Sequence, residues 1–422
     1  MMDTALSDAA RERLEQIGHA DMVIGIPSFR NAATIGHVVD TIGEGVSRYF
    51  PDLRAVIINP DGGSLDGTRE SVLQRRVPAG IEKVVFTYRG ISGKGTALRG
   101  VFEAVERLGA RVCVVVDADL RSITPEWVRL LAQPVLDGYG FVTPFYTRYK
   151  YDGTITNSIC YPMTCALYGV SVRQPIGGDF GFSGEVARRF LAQDVWKTDV
   201  TRFGIDIFMT TTALNDKFQV AQANLGAKIH DAKNPAADLG PMFREVVGTL
   251  FDLMIKHYDS WSHISHGTEA PRFGECQAVE PEPLEVDLPS LVAKFRNGFA
   301  RHSSVLQRVL HASNFTEIER LAATPAPRFA LPCALWCRTV YDFATAYKAM
   351  PSDRMQLLEA MLPIYHGRVA SFVLETEGMS TSAAETIVEA QCAVFEREKI
   401  YLLNRWNNSH PTRVMQDQPG HE

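Results

Sequence analysis

Short apolar runs alternate along the first part of the chain with longer segments in which apolar residues recur every three or four positions. The runs Met22 to Ile26, Val56-Ile57-Ile58-Asn59, Lys83 to Thr87, Val112 to Val116 and Gly140 to Phe145 read as strands. Residues 5–18, Thr34 to Ile42 and Ala97 to Leu108 carry the helical spacing, and Thr124-Pro125-Glu126-Trp127 is a helix start, with Thr as cap and Pro in the first turn. Strands and helices in alternation over residues 20–120 predict an α/β domain with a mainly parallel sheet. The run from Val112 is apolar on both faces and stops at Asp117-Ala118-Asp119, which places two carboxylates at the sheet edge where such folds gather ligands.

Beyond residue 270 the pattern changes. Residues 271–290, with Pro271, Pro281, Pro283 and Pro289 among several Glu, read as a linker or wrapped loop. Leu291 to Leu310, Phe315 to Ala322, Ala334 to Met350, Met355 to Met361 and Ser382 to Leu403 then keep the helical period. The expected organisation is a catalytic domain over 1–270 and a helical C-terminal domain over 291–422, which packs on the first or forms a homo-oligomer. No chemistry is legible in that second part.

Composition narrows the partners. With 45% hydrophobic and 22% charged residues in 422, the chain has the make-up of an ordinary soluble protein. A net charge of −6 leaves no basic footprint for nucleic acid. Seven cysteines, an odd number without metal-site spacing, suggest reduced thiols, and Cys333 and Cys337, four apart on a helix, read as buried thiols rather than zinc ligands. No apolar run reaches the length of a membrane span, and Met1 to Ala20 lacks a signal-peptide core, so the expected compartment is the cytoplasm.

Three stretches carry candidate chemistry. In a strand, positions i and i+2 share a face, roughly 7 Å apart, so Asp117 and Asp119 suit one hard divalent cation, Mg²⁺ or Mn²⁺, with a diphosphate supplying further oxygens. Solvated carboxylates in a turn are the alternative. The loop Pro60 to Thr68, rich in glycine and acid, is shaped either for close approach of a ligand or simply for a turn. Gly93-Lys94-Gly95-Thr96 opens a helix and resembles part of a phosphate loop, but Arg89 stands where the full motif needs a second glycine. Lys94 still suits a phosphate, through its charge and the helix amides behind it.

Taken together, Gly93-Lys94-Gly95, Asp117-Ala118-Asp119, Arg148 with Thr156, Gln174-Pro175-Ile176-Gly177-Gly178-Asp179, Gly204-Ile205-Asp206 and His230 resemble a family. It is the retaining GT-A glycosyltransferases of the mannosylglycerate synthase, glucosylglycerate synthase and glucosyl-3-phosphoglycerate synthase group. The resemblance covers about residues 20–260 and implies a Rossmann-like GT-A catalytic domain. It also implies transfer of a hexose from UDP-glucose or GDP-mannose to D-glycerate, giving an α-glycosylglycerate compatible solute. By the same resemblance Asp119 and His230 ligate the metal, and Asp117 and Ala118 contact the donor. Pro27 and Asp61 line the base pocket and Lys94 sits by the diphosphate. Arg148, Thr156, Gly177 and Gly178 hold the acceptor carboxylate, and Asp206, with Lys94, lies at the sugar under transfer. Two positions depart from the pattern: Asp179 replaces the family's Glu, and Phe203 stands where mannosylglycerate synthase has Trp.

The alternatives are transfer to 3-phosphoglycerate, for which Lys150 and Arg173 are the nearest further cations in sequence, and an inverting GT-A enzyme with a polysaccharide or lipid acceptor. A sugar-1-phosphate nucleotidyltransferase shares the sheet and the Asp-metal chemistry, but Ile26 to Asn31 lacks the Gly-rich, Arg- and Lys-containing triphosphate signature. A non-catalytic carbohydrate-binding regulator is the remaining class.

Overall fold

The computed structural model describes residues 4–230, 239–275, 281–325 and 328–409. Its strands are β1 (Met22–Gly25), β2 (Ala55–Asp61), β3 (Ile81–Thr87), β4 (Val112–Val115), β5 (Phe141–Thr147), β6 (Val170–Ser171), β7 (Phe180–Ser183), β8 (Val220–Ala227), β9 (Thr268–Glu269) and β10 (Arg272–Phe273). Eight of them form one sheet in the order β10-β8-β5-β7-β4-β1-β2-β3, while β6 pairs with β9 apart from it. Every neighbour in the large sheet is parallel except β7, which is antiparallel to both β4 and β5.

The sheet is a middle layer because its strands are apolar on both faces. Val23, Cys113 and Val115 pack with Leu98, Val101 and Phe102 of the helix Lys94–Leu108. Their neighbours Met22, Ile24, Val112 and Val114 pack with Val38 and Val39 of Ile35–Tyr49 and with Val128 and Leu131 of Pro125–Leu136. Each fully buried side chain of this kind contributes roughly 1.5–3 kcal/mol.

The strand directions decide where function can sit. The carboxyl ends of β1, β2, β3, β4, β5 and β8 open on one edge, and the reversed β7 delivers the residues before it, Gly177-Gly178-Asp179, to that same edge. A parallel sheet with one inverted member thus brings a strand start among the strand ends.

Several expectations are refined. β4 ends at Val115, so Asp117 and Asp119 lie in the following turn and the two-residue alternation does not govern them. The segment predicted over Met355 to Met361 is a helix from Arg354 to Glu375 that runs through Pro363. Its ring packs on Gly298, where a Cβ would come within 2.2 Å of it, so tertiary packing overrides the local cost of proline. The pattern over Ser382 to Leu403 divides into Thr381–Arg397 and Lys399–Asn408, and Arg272–Phe273 of the expected linker joins the sheet as an edge strand. Cys337 is buried, as expected of a thiol in a helix interior, and burial pushes its pKa up.

The C-terminal helices share one apolar cluster with the sheet's layer, from Leu6 to Trp406. Polar ties reinforce that contact. Trp336 Nε1 donates to the Ser158 carbonyl at 2.7 Å, and Thr154 Oγ1 lies 2.6 Å from the Tyr365 hydroxyl. Lys399 Nζ donates to the carbonyls of Ala166, Trp261 and Ile264 at 2.6–2.8 Å. Residues 148–173, which wall one side of the ligand edge, are therefore backed by helices. No helix among the described residues is long and apolar enough to cross a membrane.

Candidate active site

Along the ligand edge lies a cavity of about 530 Å³. It is lined by Pro27 after β1, Lys94 after β3, Asp117, Ala118 and Asp119 after β4, Arg148 after β5, Gly177 and Gly178 before β7, Asp206 at the start of Ile205–Asn215, and Lys228 and His230 after β8. Thr156, which opens a π-helical turn over Thr156–Cys160, completes the wall beside Arg148. The expected site residues are brought together here with one exception.

That exception is Asp61. It is fully buried behind the wall and accepts hydrogen bonds from Ser28 Oγ (2.8 Å), Gly63 N (2.9 Å), Ser64 N (2.6 Å) and Ser64 Oγ (2.7 Å). Its carboxylate is saturated by its own loop and by Ser28, so it shapes the wall that Pro27, Ser28, Phe29 and Asn31 present to the cavity.

The two acids of the Asp-Ala-Asp turn stand in opposite electrostatic states. Asp117 Oδ1 meets Lys94 Nζ at 2.9 Å and its Oδ2 meets Lys228 Nζ at 2.8 Å. Burial alone would push its pKa up, but the two ammonium groups, Lys228 first, hold it far below the usual carboxylate range. Asp119 makes no hydrogen bond or ion pair among the described residues, and burial, then the Asp117 charge, raise its pKa. Across from it His230 keeps Nε2 buried without a hydrogen-bond partner, with Asp152 Oδ2 at 3.7 Å. Backbone bonds from Arg121 N to the Ile229 carbonyl and from Ile229 N to Ser122 Oγ, both 2.9 Å, fasten the two turns side by side.

No three His, Cys, Asp or Glu among the described residues are gathered closely enough to enclose a metal by themselves. The donor set fits a hard cation nonetheless: one unpaired carboxylate and one unpartnered imidazole nitrogen border an open cavity, leaving positions for ligand oxygens and water.

Lys228 was not legible as a site residue, and it is the hub. Besides Asp117 it reaches Asp179 Oδ2 at 2.8 Å and the Gly177 carbonyl at 2.9 Å, with its side chain 3% exposed. Asp179 in turn accepts from the Asp117 amide at 2.7 Å and from the Tyr146 hydroxyl. The signal for Lys228 was the one that singled out Asp117, a charged residue just past an apolar run, here Val220 to Ala227. Gly178 has φ +91°, and a Cβ there would lie 2.2 Å from Asp117 Oδ2, so only glycine leaves room for the lysine–aspartate lattice.

The loop before Lys94 differs from a phosphate cradle. A Cβ on Gly95 would lie 1.8 Å from the Val200 carbonyl and one on Gly93 2.5 Å from the Thr201 carbonyl. The Gly95 amide donates to Arg202 O at 3.2 Å and the Gly93 amide to the Tyr88 hydroxyl at 3.0 Å. These glycines admit a neighbouring turn rather than a phosphate, and Lys94 acts through its side chain, also 3.4 Å from Asp206 Oδ1. Asp206 is buried, and desolvation raises its pKa against the pull of Lys94.

On the opposite wall Arg148 Nη1 meets Asp152 Oδ2 at 3.1 Å, while its Nε is buried without a partner. Burial opposes ionisation of Asp152, but Arg148 and then His230 hold its pKa well below the usual range. Lys150 and Arg173 turn away. Lys150 donates to the carbonyls of Thr376 and Met379, both at 2.8 Å, and Arg173 binds Glu385 and Asn157.

No family model matches the chain, and no curated protein matches it. Solved structures similar to it include glucosyl-3-phosphoglycerate synthase from Mycobacterium tuberculosis in complex with Mg²⁺ and uridine diphosphate. The identity is 23%, the match covers 59% of this chain and 85% of that one, and the TM-score is 0.43. The same enzyme with Mn²⁺, UDP-glucose and phosphoglyceric acid is 22% identical over 59% of this chain and 84% of that one, with a TM-score of 0.42. A mycobacterial protein described only as such is 26% identical over 57% and 77%, also with a TM-score of 0.42.

Proposed function

We propose that the chain is a metal-dependent hexosyltransferase of GT-A type that moves a sugar from a nucleoside diphosphate to the hydroxyl of a glycerate-type acceptor. The observation that carries this reading is the contrast inside one cavity. Asp117 is neutralised by Lys94 and Lys228, while Asp119 beside it has no partner among the described residues and His230 Nε2 has no hydrogen bond, with Asp152 Oδ2 3.7 Å away. Ammonium groups fixed by carboxylates next to an open cation position are what a leaving diphosphate requires.

Asp119 and His230 would hold Mg²⁺ or Mn²⁺, which when bound supplies Lewis-acid stabilisation of the departing diphosphate. Lys94, held between Asp117 and Asp206, adds a fixed positive charge at the place where negative charge develops, an effect worth several kcal/mol when preorganised. Asp117 stays ionised and immobile, suited to the donor's ribose or sugar hydroxyls. Arg148, Thr156 and the Gly177-Gly178 backbone take the acceptor carboxylate, and alignment of acceptor and donor supplies much of the remaining rate enhancement. In the retaining route the acceptor attacks from the face the leaving group departs, and the leaving oxygen takes the acceptor's proton. Residues 1–270 perform these tasks, and the helical region backs the acceptor wall.

D-glycerate is the acceptor this arrangement favours over 3-phosphoglycerate. The cavity's permanent cations among the described residues are Lys94, Lys228 and Arg148, already faced by Asp117, Asp206 and Asp152, and Lys150 and Arg173 are drawn off to the C-terminal helices. A further phosphate, with nearly two charges, would find no free partner among them.

The raised pKa of Asp206 favours a second reading, in which that carboxylate is the base of an inverting transfer. One experiment separates these outcomes. The chain is incubated with UDP-glucose or GDP-mannose, Mg²⁺ or Mn²⁺, and D-glycerate or 3-phosphoglycerate. Released nucleoside diphosphate is measured and the product anomer is read by NMR. Release with D-glycerate and an α-product is expected. A β-product assigns Asp206 as base, and no release with any combination removes the transferase reading.

A further inference from the structure

The helix Gly240–Lys256 borders two cavities. Met242 and Val246 line the candidate active site, whereas Arg244, about half a turn round the helix, lines a second cavity of about 410 Å³. The other walls of this second cavity are the helices Leu288–Val309 and Arg354–Glu375. Lys294, Arg301 and His302 repeat at helical spacing on the face of the first, and Glu359 and His366 lie on the second.

A stripe through which one helix faces another is ordinarily apolar. Here it is basic, in a chain whose net charge is −6. Arg244, Lys294 and Arg301 make no hydrogen bond or ion pair among the described residues, and Glu359 is the one carboxylate on the described wall. His366 is 9% exposed, and its Nδ1 is buried with no partner. Burial, then Lys294, push the pKa of His366 down to about 4, and burial, then Arg301, lower that of His302 against the opposing pull of Glu359. Arg244 and Lys294 are half-buried and Arg301 is exposed, so a cavity edged by three cations and the single carboxylate of Glu359 carries the excess positive charge that suits an oxyanion.

We propose that this cavity binds a small phosphate-bearing anion, held by Arg244, Lys294 and Arg301, with His366 on the wall beside it. The shared chemistry is a compact, doubly charged oxyanion, which either inorganic phosphate or a phosphate monoester supplies. The site is separate from the transfer chemistry and stands whether or not that reading holds.

Titration calorimetry on the full chain tests it, with inorganic phosphate in one arm and glycerol 2-phosphate in the other. Each arm is repeated on the Lys294→Gln/Arg301→Gln variant and on Arg148→Ala, which disables the active-site anion position instead. Binding weakened about tenfold or more in the double variant, on the scale of a lost charge-assisted bond, and unchanged in Arg148→Ala is the expected result. Tighter binding of the monoester assigns the ester as ligand; tighter binding of phosphate assigns the free ion. Should the double variant melt below the native chain, the single exposed substitution Arg301→Gln gives the same readout. No binding at millimolar ligand, or binding lost only in Arg148→Ala, overturns the proposal.

Discussion

The ammonium of Lys228 and the carboxylate of Asp117 meet at 2.8 Å although their strands, β8 and β4, are separated in the sheet by two others. The pair closes over the start of β7 and fixes Asp117 in its ionised form. Lys228→Met leaves Asp117 and Asp179 buried without that partner, and breaking a buried ion pair from one side costs roughly 3–5 kcal/mol. Urea denaturation should show a loss of that order, with initial rates falling at least about a hundredfold. A variant with native midpoint and rate would remove the lysine from the mechanism.

Asp119→Ala should behave in the opposite way on stability. The side chain has no partner among the described residues, and burying its charge is unfavourable, so the unfolding midpoint should stay within about 1 kcal/mol of native or rise. Turnover should vanish, as it should for the native chain in EDTA. His230→Ala should raise the metal concentration needed for half-maximal rate while leaving turnover at saturating metal. Full activity in EDTA would falsify the metal assignment.

Arg148→Lys replaces a planar fork by a point charge and leaves Asp152 with a cation. Steady-state kinetics should show the acceptor KM rising about tenfold or more, with donor KM little changed. Equal changes in both constants would move Arg148 out of the acceptor position.

His257 sets part of the acid stability. It is 8% exposed, with Nδ1 3.2 Å from the Tyr168 hydroxyl. Burial, then Lys256, push its pKa from 6.5 down to about 4, with Arg189 adding to the shift and Asp216 opposing it. The unfolded chain therefore takes up a proton near pH 6.5 that the folded chain refuses until about pH 4. Stability from this group is full above the higher value and declines as pH falls, by up to about 3 kcal/mol. Chemical denaturation across that window should show the decline, and His257→Gln should make it shallower while leaving the similar share contributed by His366.

The strands and the cavity's acids were legible because a buried parallel strand advertises itself by an apolar run and ends at the ligand edge. Asp117 and Asp119 follow from that rule alone, whereas Arg148, Thr156, Asp206 and His230 were legible only through the family resemblance. Lys228 obeys the rule too, but the run before it carries Gln222 and Asn224, which dilute the signal. The inward turn of Asp61 and the outward turn of Lys150 and Arg173 were not legible. Which side a loop residue faces depends on partners distant in sequence, such as Thr376 and Glu385. The persistence of a helix through Pro363 depends likewise on Gly298 opposite it.

The contact of Gly93 and Gly95 with the Val200-Thr201-Arg202 turn has a consequence for engineering. Lys94 begins the helix after one of these segments and Asp206 lies just beyond the other, and a carbonyl stands where either glycine's Cβ would be. Grafting a loop from another enzyme at 90–96 alone would leave an unmatched seam at 199–206. The two stretches form a single exchangeable cassette, so libraries aimed at this wall of the cavity must vary them as a pair.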